Sequence, residues 1–403
     1  MQSGLADKIK FECVNCGRHY SATEVEYLCP VCSAQNTTDQ PPKGVLKTIY
    51  DYEGLKSQYG TELHNHLKKT DFIDLLPIKS RQSLSYLKVG NTPLYEISIP
   101  ENKQPAHKLL FKDDSQNPTF SYKDRASNLV SAVAKERGIN TIIAASTGNA
   151  GSSLAGIGAA QKQKIIILVP ETAPIAKLVQ IAMYGAEIIP VNGSYDDAFD
   201  LSVLATAELG IYNRNTAYNP FTIEGKKTAA YEIYTQLGGE LPDRIFVPVG
   251  DGCIIAGIYK GFEDLLKLGI IDHIPEIISV RAENPETIAD SISVKIPRNY
   301  YMSKQFLSKY NGKSIKVSDH SILQAGSELA EKYGLFAEPA AAAAYAGYLS
   351  YIEKFQLEEN SRNVVLLTGS GLKDIKAVSA IIKIPESIDP DLASLRKKLS
   401  QYS

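Results

Sequence analysis

Four of the five cysteines in this 403-residue chain stand in two close pairs near its start. The pairs, Cys13 with Cys16 and Cys29 with Cys32, each form a CxxC pattern, and twelve residues separate them. Two such turns bring four thiolates to one ion, which is the closed tetrahedral set of a structural zinc site. The spacing therefore predicts a zinc ribbon over residues 1–40, with no open coordination position for catalysis. A ribbon that folds without metal is the alternative, and redox chemistry is disfavoured because no thioredoxin-like pattern follows.

Two loops carry glycines where a predicted strand passes into a predicted helix. Residues 142–153 read IIAASTGNAGSS, and their hydroxyls, amide and glycines can form a nest for a carboxylate or a ring oxygen. Residues 246–257 read FVPVGDGCIIAG, in which Gly250 and Gly252 let the backbone approach a phosphate. The absence of GxGxxG with a downstream acid, and of GK[ST], disfavours a dinucleotide site and a P-loop. Cys253 is interpreted as a packing residue, because no histidine lies nearby in the sequence to activate it.

Two further loops supply hydroxyls and an amine. Residues 364–374, VVLLTGSGLKD, place the neutral hydroxyls of Thr368 and Ser370 at a strand end. Residues 117–127, NPTFSYKDRAS, place Lys123 near the start of a predicted helix. The positive end of the helix dipole disfavours an ammonium there and lowers its pKa, as a lysine that bonds covalently to a carbonyl compound requires. A solvated lysine is the alternative interpretation.

Short β-branched strands alternate with helices around these loops. The predicted strands are HKLLFKDD, NTIIAAS, KIIILVP, EIIPV, DRIFVPVG, EIISVRAE and NVVLLTGSG. This alternation is typical of parallel α/β sheets with right-handed crossovers, and there are too many units for one five-stranded sheet. We therefore predict two doubly wound α/β domains. Because ligands bind at the carboxyl ends of strands in such sheets, the four loops are expected to meet in one cleft.

The predicted domain boundaries follow from turn-rich breaks and from this alternation. They are a ribbon over 1–40, an N-terminal extension over 45–90, a large α/β domain over 91–121 and 221–385, a small α/β domain over 122–220, and a tail over 386–403.

Charge and hydropathy exclude several classes of protein. Lys and Arg number 43 against 45 Asp and Glu, so no polybasic surface is expected for nucleic acid or anionic membrane. No apolar stretch approaches the ~20 residues that a bilayer crossing needs, and the start of the chain lacks the apolar core of a secretion signal. We therefore expect a cytoplasmic protein with neither a nucleic-acid nor a membrane partner.

Taken together and in this order, the four loops resemble the fold type II, or tryptophan-synthase-β-like, enzymes that use pyridoxal 5′-phosphate. The resemblance runs from about residue 11 to 375. With the cysteine ribbon and GNTPL at 90–94, the chain is most similar to the threonine synthases within that family. The resemblance implies an enzyme with the cofactor in the cleft between the two α/β domains. It also implies a small amino-acid substrate and a homodimer.

The resemblance also implies roles for particular residues. Lys123 would carry the cofactor and move protons during catalysis, Asn149 would contact the ring oxygen, and Thr368 would face the pyridine nitrogen. A neutral hydroxyl at that nitrogen suits elimination and replacement reactions. Ser146 and Thr147 would hold the substrate carboxylate. The loop that would hold the cofactor phosphate comprises Gly250, Asp251, Gly252, Cys253 and Ile254.

Threonine synthases convert O-phosphohomoserine and water to threonine and phosphate, and one motif of this chain departs from their pattern. Residues 215–228, NTAYNPFTIEGKKT, stand where the family commonly reads N-S-x-N-P-x-R, so the arginine that binds the substrate phosphate is replaced by Thr222. An unneutralised dianion in a partly dry cleft costs several kcal/mol. We therefore expect Arg214, Lys226 or Arg298 to place a positive charge near the leaving phosphate.

Other functions remain open at this point. A cysteate synthase would use O-phosphoserine and sulfite, and an ammonia-lyase acting on serine, threonine or diaminopropionate would need no phosphate-binding arginine. A catalytically inactive scaffold and a non-enzymatic α/β binding protein are further alternatives. The presence of Lys123, Asn149 and Thr368 disfavours both.

Overall fold

The structure is a computed structural model that describes residues 8–37, 39–379, 382 and 384–400. The first seven residues of the predicted ribbon lie outside the described residues. So do residue 38, the last three residues of the predicted tail, and residues 380, 381 and 383 of the predicted large domain.

The cysteine-rich segment forms a small antiparallel sheet. Strand β1 (Ile9–Cys13) lies between β2 (His19–Ser21) and β3 (Leu46–Tyr50). Side chains alternate along β3 between buried and half-buried positions, which is the pattern of a strand with one face on a core. The third strand, β3, comes from the segment predicted as the N-terminal extension, and it completes the sheet, since two short strands alone are marginally stable.

A six-stranded sheet forms the larger α/β unit, in the order β12-β11-β10-β13-β5-β4. All neighbours are parallel except β4 and β5, which are antiparallel. Its strands are β4 (Leu94–Ile99), β5 (His107–Asp113), β10 (Arg244–Pro248), β11 (Glu276–Ala282), β12 (Lys313–Val317) and β13 (Arg362–Leu367). Alternate residues of the central strands enter two separate apolar cores, so helices cover both faces of the sheet.

A four-stranded parallel sheet forms the smaller unit, in the order β8-β7-β6-β9. Its strands are β6 (Thr141–Ala145), β7 (Lys164–Pro170), β8 (Glu187–Val191) and β9 (Tyr212–Asn213). The prediction of two α/β units is therefore confirmed.

Helices connect and cover the strands. In the N-terminal region and the smaller unit they are α1 (Pro30–Ser33), α2 (Tyr52–Tyr59), α3 (Leu63–Lys69), α4 (Lys123–Glu136), α5 (Asn149–Gln161), α6 (Ile175–Met183) and α7 (Tyr195–Leu209). In the remainder they are α8 (Phe221–Lys226), α9 (Thr228–Gln236), α10 (Cys253–Lys267), α11 (Tyr300–Lys309), α12 (Asp319–Tyr333), α13 (Pro339–Lys354), α14 (Ile375–Ser379) and α15 (Leu392–Leu399).

A buried polar network joins the N-terminal segment to the larger unit. Its members are Tyr50, Tyr52, Glu224, Lys227, Tyr231, Lys260 and Asp264. Tyr50 donates its hydroxyl to Glu224 at 2.5 Å, and Tyr52 donates to Asp264 at 2.5 Å. Lys227 lies between the two carboxylates, 2.5 Å from Glu224 and 2.7 Å from Asp264. Buried charges are tolerated when they are paired in this way, so the network fixes α8 and α10 against the strand that precedes α2.

Candidate active site

Three chain segments that carry site residues are joined by short backbone bridges. Ser121 pairs with Gly369, and Ala337 pairs with Ser370, both antiparallel. The Tyr122 N–H donates to the Thr368 carbonyl at 2.9 Å. These bridges bring the start of α4, the end of β13 and the start of α13 together. The sequence predicts that the first two of these segments meet, because their loops were expected in one cleft.

Lys123 is the first residue of α4 and lies deep in the molecule, although part of its surface remains accessible through the cleft. Its ammonium makes no hydrogen bond or ion pair with any described residue. Loss of hydration lowers the pKa of Lys123; Asp251 is the largest influence opposing this, and the positive charge of Arg214 adds to the lowering. A neutral amine is therefore more accessible here than at an exposed lysine.

Asn149 begins α5, which packs against α4. Its amide nitrogen donates to the carboxylate of Glu338 at 2.8 Å and to the hydroxyl of Ser291 at 3.1 Å. Ser146 and Thr147 occupy the preceding turn, where Ser146 is buried and accepts a hydrogen bond from the Gly148 N–H at 3.3 Å. The two α/β units thus meet through side chains at this point, with Asn149 on one unit and Glu338 on the other.

The glycine turn after β10 is enclosed by other chain segments. Gly252 has φ +84°, and a Cβ there would lie 2.7 Å from the hydroxyl oxygen of Ser303. A Cβ on Gly250 would lie 2.8 Å from the backbone of Ile292. The helix α10 starts directly afterwards, so its first N–H groups have no carbonyl partner within the helix. This cradle suits a phosphate group.

Asp251 and Cys253 lie in the same turn but differ in their contacts. The Asp251 carboxylate accepts a hydrogen bond from the Arg298 backbone N–H at 3.0 Å. Burial raises the pKa of Cys253 to about 12, so this thiol stays protonated at neutral pH. Ile254 follows in the first turn of α10 and is buried.

Two of the three cations suggested by the sequence are buried without a carboxylate partner. Arg214 follows β9 and bonds Ser127 and Thr216 through two nitrogens at 3.2 Å, whereas its Nη2 has no partner among the described residues. Lys226 is the last residue of α8, and its Nζ likewise has no partner within the described chain. Loss of hydration, together with the nearby charges of Lys123 and Arg214, lowers the pKa of Lys226 to about 7.

The third suggested cation is already engaged. Arg298 forms an ion pair with Asp196, and its guanidinium lies 4.4 Å from the centre of the Phe199 ring. Thr222 is fully buried and donates its hydroxyl to the Asn219 carbonyl at 2.8 Å, so it offers no charge to the cleft. Unpaired positive charge near Lys123 therefore comes from Arg214 and Lys226.

These residues form a donor set that fits pyridoxal phosphate. The glycine cradle suits its phosphate, Lys123 can bond its aldehyde carbon, and the hydroxyl-bearing end of β13 suits a ring nitrogen. The buried nitrogens of Arg214 and Lys226 that lack partners indicate that the cleft accepts further negative charge.

Glu338 also belongs to this site, although the sequence of residues 338–349, EPAAAAAYAGYL, indicates only a close-packed helix that Glu338 and Pro339 open. An acidic residue before a helix-opening proline is usually explained by the helix dipole. Here its side chain makes no cap and contacts Asn149 instead. The pairing of its backbone N–H with the Gly369 carbonyl, at 3.0 Å, depends on tertiary structure, so no local signal predicts it.

The four N-terminal cysteines lie together. The sulfurs of Cys13, Cys16, Cys29 and Cys32 all lie within 4.8 Å of one another. Four thiolates at Zn–S distances of ~2.3 Å are separated by ~3.8 Å, so a small adjustment would accommodate a metal ion. This cluster can therefore hold a structural ion.

None of the helices in the described part of the chain combines the length and the apolar character that a membrane crossing requires.

Sequence comparison identifies close relatives over most of the chain. Residues 86–369 match the family model of pyridoxal-phosphate dependent enzymes. The threonine synthase of Methanocaldococcus jannaschii is 34% identical, over 96% of this chain and 99% of that protein. The threonine synthase of Halalkalibacterium halodurans is 35% identical, over 80% of this chain and 93% of that protein.

Solved structures share the fold at lower identity. A pyridoxal 5′-phosphate-dependent aspartate racemase aligns with a TM-score of 0.60 at 21% identity, covering 71% of this chain and 92% of that one. Maize serine racemase aligns with a TM-score of 0.58 at 20% identity, covering 79% and 93%. The fold type II architecture that the sequence predicts is thereby confirmed. The chain belongs to the family of pyridoxal-phosphate dependent enzymes, in the group that includes the threonine synthases.

Proposed function

We propose that this chain is a threonine synthase, a lyase that converts O-phosphohomoserine and water to L-threonine and phosphate. The observation that carries the proposal is the 34% identity to the Methanocaldococcus jannaschii threonine synthase, which extends over 96% of the chain. Two buried cations beside Lys123 support a phosphorylated amino-acid substrate.

The residues that we assign to the cofactor are those that the family resemblance implies, and the geometry of the cleft supports the assignment. Pyridoxal phosphate, when bound, supplies an electron sink that stabilises negative charge next to the substrate's amine-bearing carbon. We assign its covalent attachment to Lys123, its ring oxygen to Asn149 and its ring nitrogen to Thr368. The assigned phosphate cradle comprises Gly250, Asp251, Gly252, Cys253 and Ile254.

Lys123 is the proposed acid and base. Because its pKa is lowered, a larger fraction of the amine is neutral at a given pH and can accept the proton from the substrate Cα. The same group can take a proton from Cβ as the Cγ–O bond breaks and phosphate leaves, and can deliver a proton to Cγ, which becomes the methyl group. Water then adds its hydroxyl at Cβ, its remaining proton balances the released phosphate, and the ammonium returns a proton to Cα.

Four residues are proposed to hold the substrate. Ser146 and Thr147, at the N-terminus of α5, would bind its carboxylate. Arg214 and Lys226 would neutralise the leaving phosphate, since each has a buried nitrogen that finds no partner among the described residues. Arg298 is the weaker candidate, because its guanidinium is paired with Asp196.

A substrate panel tests this function directly. Purified enzyme is assayed for phosphate release from O-phosphohomoserine and O-phosphoserine, and for oxo-acid formation from threonine and serine. We expect phosphate and threonine in equal amounts from O-phosphohomoserine. Phosphate release only from O-phosphoserine with sulfite would favour a cysteate synthase, and oxo-acid formation alone would favour an ammonia-lyase. A visible absorbance band that disappears on borohydride treatment would distinguish these enzymes from the two binding-protein alternatives.

We also propose one structural zinc ion per chain, bound by the four clustered cysteines, and a cytoplasmic homodimer. The mutual approach of the four sulfurs supports the zinc proposal. Metal analysis of enzyme purified without added metal tests it, and light scattering tests the dimer.

A further inference from the structure

Glu338 is a buried acid for which the proposed chemistry has no role. It immediately precedes α13, and only 3% of its surface is exposed. Residues at this position commonly cap the helix with their side chain, yet the Glu338 carboxyl group makes no such bond. It points into the cleft between the two α/β units instead.

The two oxygens of this carboxyl group make different contacts. Oε2 accepts the Asn149 amide at 2.8 Å and the Ser291 hydroxyl at 3.4 Å. Oε1 lies against Gly369, where a Cβ would approach it to 2.5 Å. Glycine at 369 therefore leaves the room that the carboxyl group occupies.

Charged groups from two other segments face Glu338. Lys123 approaches from the start of α4, and Lys373 and Asp374 approach from the turn after β13. Loss of hydration raises the pKa of Glu338, and the negative charge of Asp374 adds to this effect. The Asn149 hydrogen bond and the positive charges of Lys123 and Lys373 act in the opposite direction. The same proximity to Glu338 favours the protonated form of Lys123.

We infer that Glu338 is a positioning residue of the active site, whose carboxyl group orients the Asn149 amide and whose charge acts on Lys123. The first part follows from hydrogen-bond polarity. Oε2 is the acceptor in this contact, so it fixes the nitrogen edge of the Asn149 amide on its own side, and a rotated amide would place two oxygens in contact. The second part follows from the backbone. The Glu338 N–H donates to the Gly369 carbonyl at 3.0 Å, and Gly369 pairs with Ser121, two residues before Lys123. An ionised carboxylate held next to the start of α4 in a poorly hydrated cleft favours a protonated amine there.

Two substitutions separate these effects in full-length holoenzyme. Glu338→Gln keeps an acceptor oxygen for Asn149 but removes the charge. Glu338→Asp keeps the charge but shortens the reach to Asn149. Glu353→Gln is the matched control, because Glu353 lies exposed on the same helix, α13. The readouts are the pH midpoint of the visible cofactor band, which reports the protonation of the Lys123 nitrogen, and the dissociation constant of the cofactor by equilibrium dialysis.

We expect Glu338→Gln to lower the pH midpoint by about 0.5 to 1, a three- to tenfold change in proton affinity, with little change in cofactor affinity. Glu338→Asp should leave the midpoint near that of the wild type and weaken cofactor binding about tenfold. An unchanged midpoint in Glu338→Gln, or wild-type cofactor affinity in Glu338→Asp, would overturn the corresponding part of the inference.

Asn149→Ala provides an independent measurement if Glu338→Gln fails to fold. The loss of cofactor affinity in the Glu338→Asp, Asn149→Ala double variant should equal that of Asn149→Ala alone, since both substitutions remove one interaction. Additive losses would contradict the orienting role. The inference rests on the proposed cofactor site but not on the proposed substrate. An O-phosphohomoserine assay without product therefore leaves the role of Glu338 unaffected. Wild-type enzyme without any visible cofactor band would refute both the role of Glu338 and the proposed cofactor site.

Discussion

Replacing Lys226 by methionine should make this protein more stable and less active. Lys226 is fully buried, and its Nζ has no partner in the described part of the chain. Its neighbours include the like charges of Lys123 and Arg214. Methionine keeps an unbranched chain of similar length and removes the charge, so the substitution relieves an unfavourable burial without leaving a large cavity.

The magnitude follows from the pKa. Burial lowers the pKa of Lys226 from 10.5 to about 7. Between these values the unfolded chain holds a proton that the folded chain has released, so stability rises with pH across this window, and the penalty is full below pH 7. At about 1.4 kcal/mol per pH unit, the penalty reaches at most about 5 kcal/mol. Water penetration and relaxation reduce it, and we expect a gain of about 2–4 kcal/mol.

Thermal unfolding of the wild type and Lys226→Met holoenzymes at pH 6.5 and pH 9.5 measures this gain. It should be largest at pH 6.5 and fall to about 1 kcal/mol at pH 9.5, where the penalty has nearly disappeared. In parallel, kcat/KM for O-phosphohomoserine should fall about 10- to 100-fold. This factor corresponds to the free energy of one lost hydrogen bond between Lys226 and the charged phosphate.

Lys260→Met is the matched control, because Lys260 is equally buried but paired with Asp264. Removing one partner of a buried pair is expected to destabilise the protein by about 3–5 kcal/mol. The reasoning would be refuted if Lys226→Met were less stable than the wild type at pH 6.5, or if its gain were the same at both pH values.

Three further predictions follow from other parts of the structure. Lys123→Ala should abolish multiple turnovers while circular dichroism remains that of the wild type; retained turnover would exclude the assigned role of Lys123. Cys29→Ser should lower the zinc content below one ion per chain and lower the thermal midpoint, whereas an unchanged metal content would argue against a four-cysteine site. Gly252→Ala, which combines φ +84° with a contact to Ser303, should weaken cofactor binding at least tenfold in a dialysis assay; normal binding would argue against the cradle.

The sequence predicts well the strands that lie in the middle of a sheet with both faces covered. The run KIIILVP matches β7 residue for residue, because a strand covered on both faces is a continuous apolar segment. The strands β4 and β12 were not predicted as strands. Both lie at the edges of the larger sheet, where half of the side chains contact water and the sequence LYEISI or KSIKV shows no apolar run.

The candidate site shows a similar division. The positions of Lys123, Asn149 and Thr368 were expected from loops at strand ends, which local sequence encodes. The contact between Asn149 and Glu338 joins residues 189 positions apart, so no spacing in the sequence indicates it. Lys226 lies at the end of the first of two short consecutive helices, a break that no proline or turn motif in the sequence marks. Arg298 is paired because Asp196, from a distant segment of the chain, reaches it. The sequence therefore does not indicate which of the candidate cations stays unpaired.

The hydrogen bonds of Tyr50 and Tyr52 have a consequence for the order of events during translation. Their acceptors, Glu224 and Asp264, follow 174 and 212 residues later in the chain. At about 5–20 residues per second, the ribosome needs about 10 to 40 s to deliver them. Throughout that interval the nascent ribbon is held by its cysteine cluster, its three short strands and contacts with the segment that follows it, such as the bonds from the Lys8 ammonium to the Ile73 and Ile78 carbonyls. Metal capture at the cysteines during synthesis would therefore help to keep β3 paired with β1 until α8 and α10 arrive.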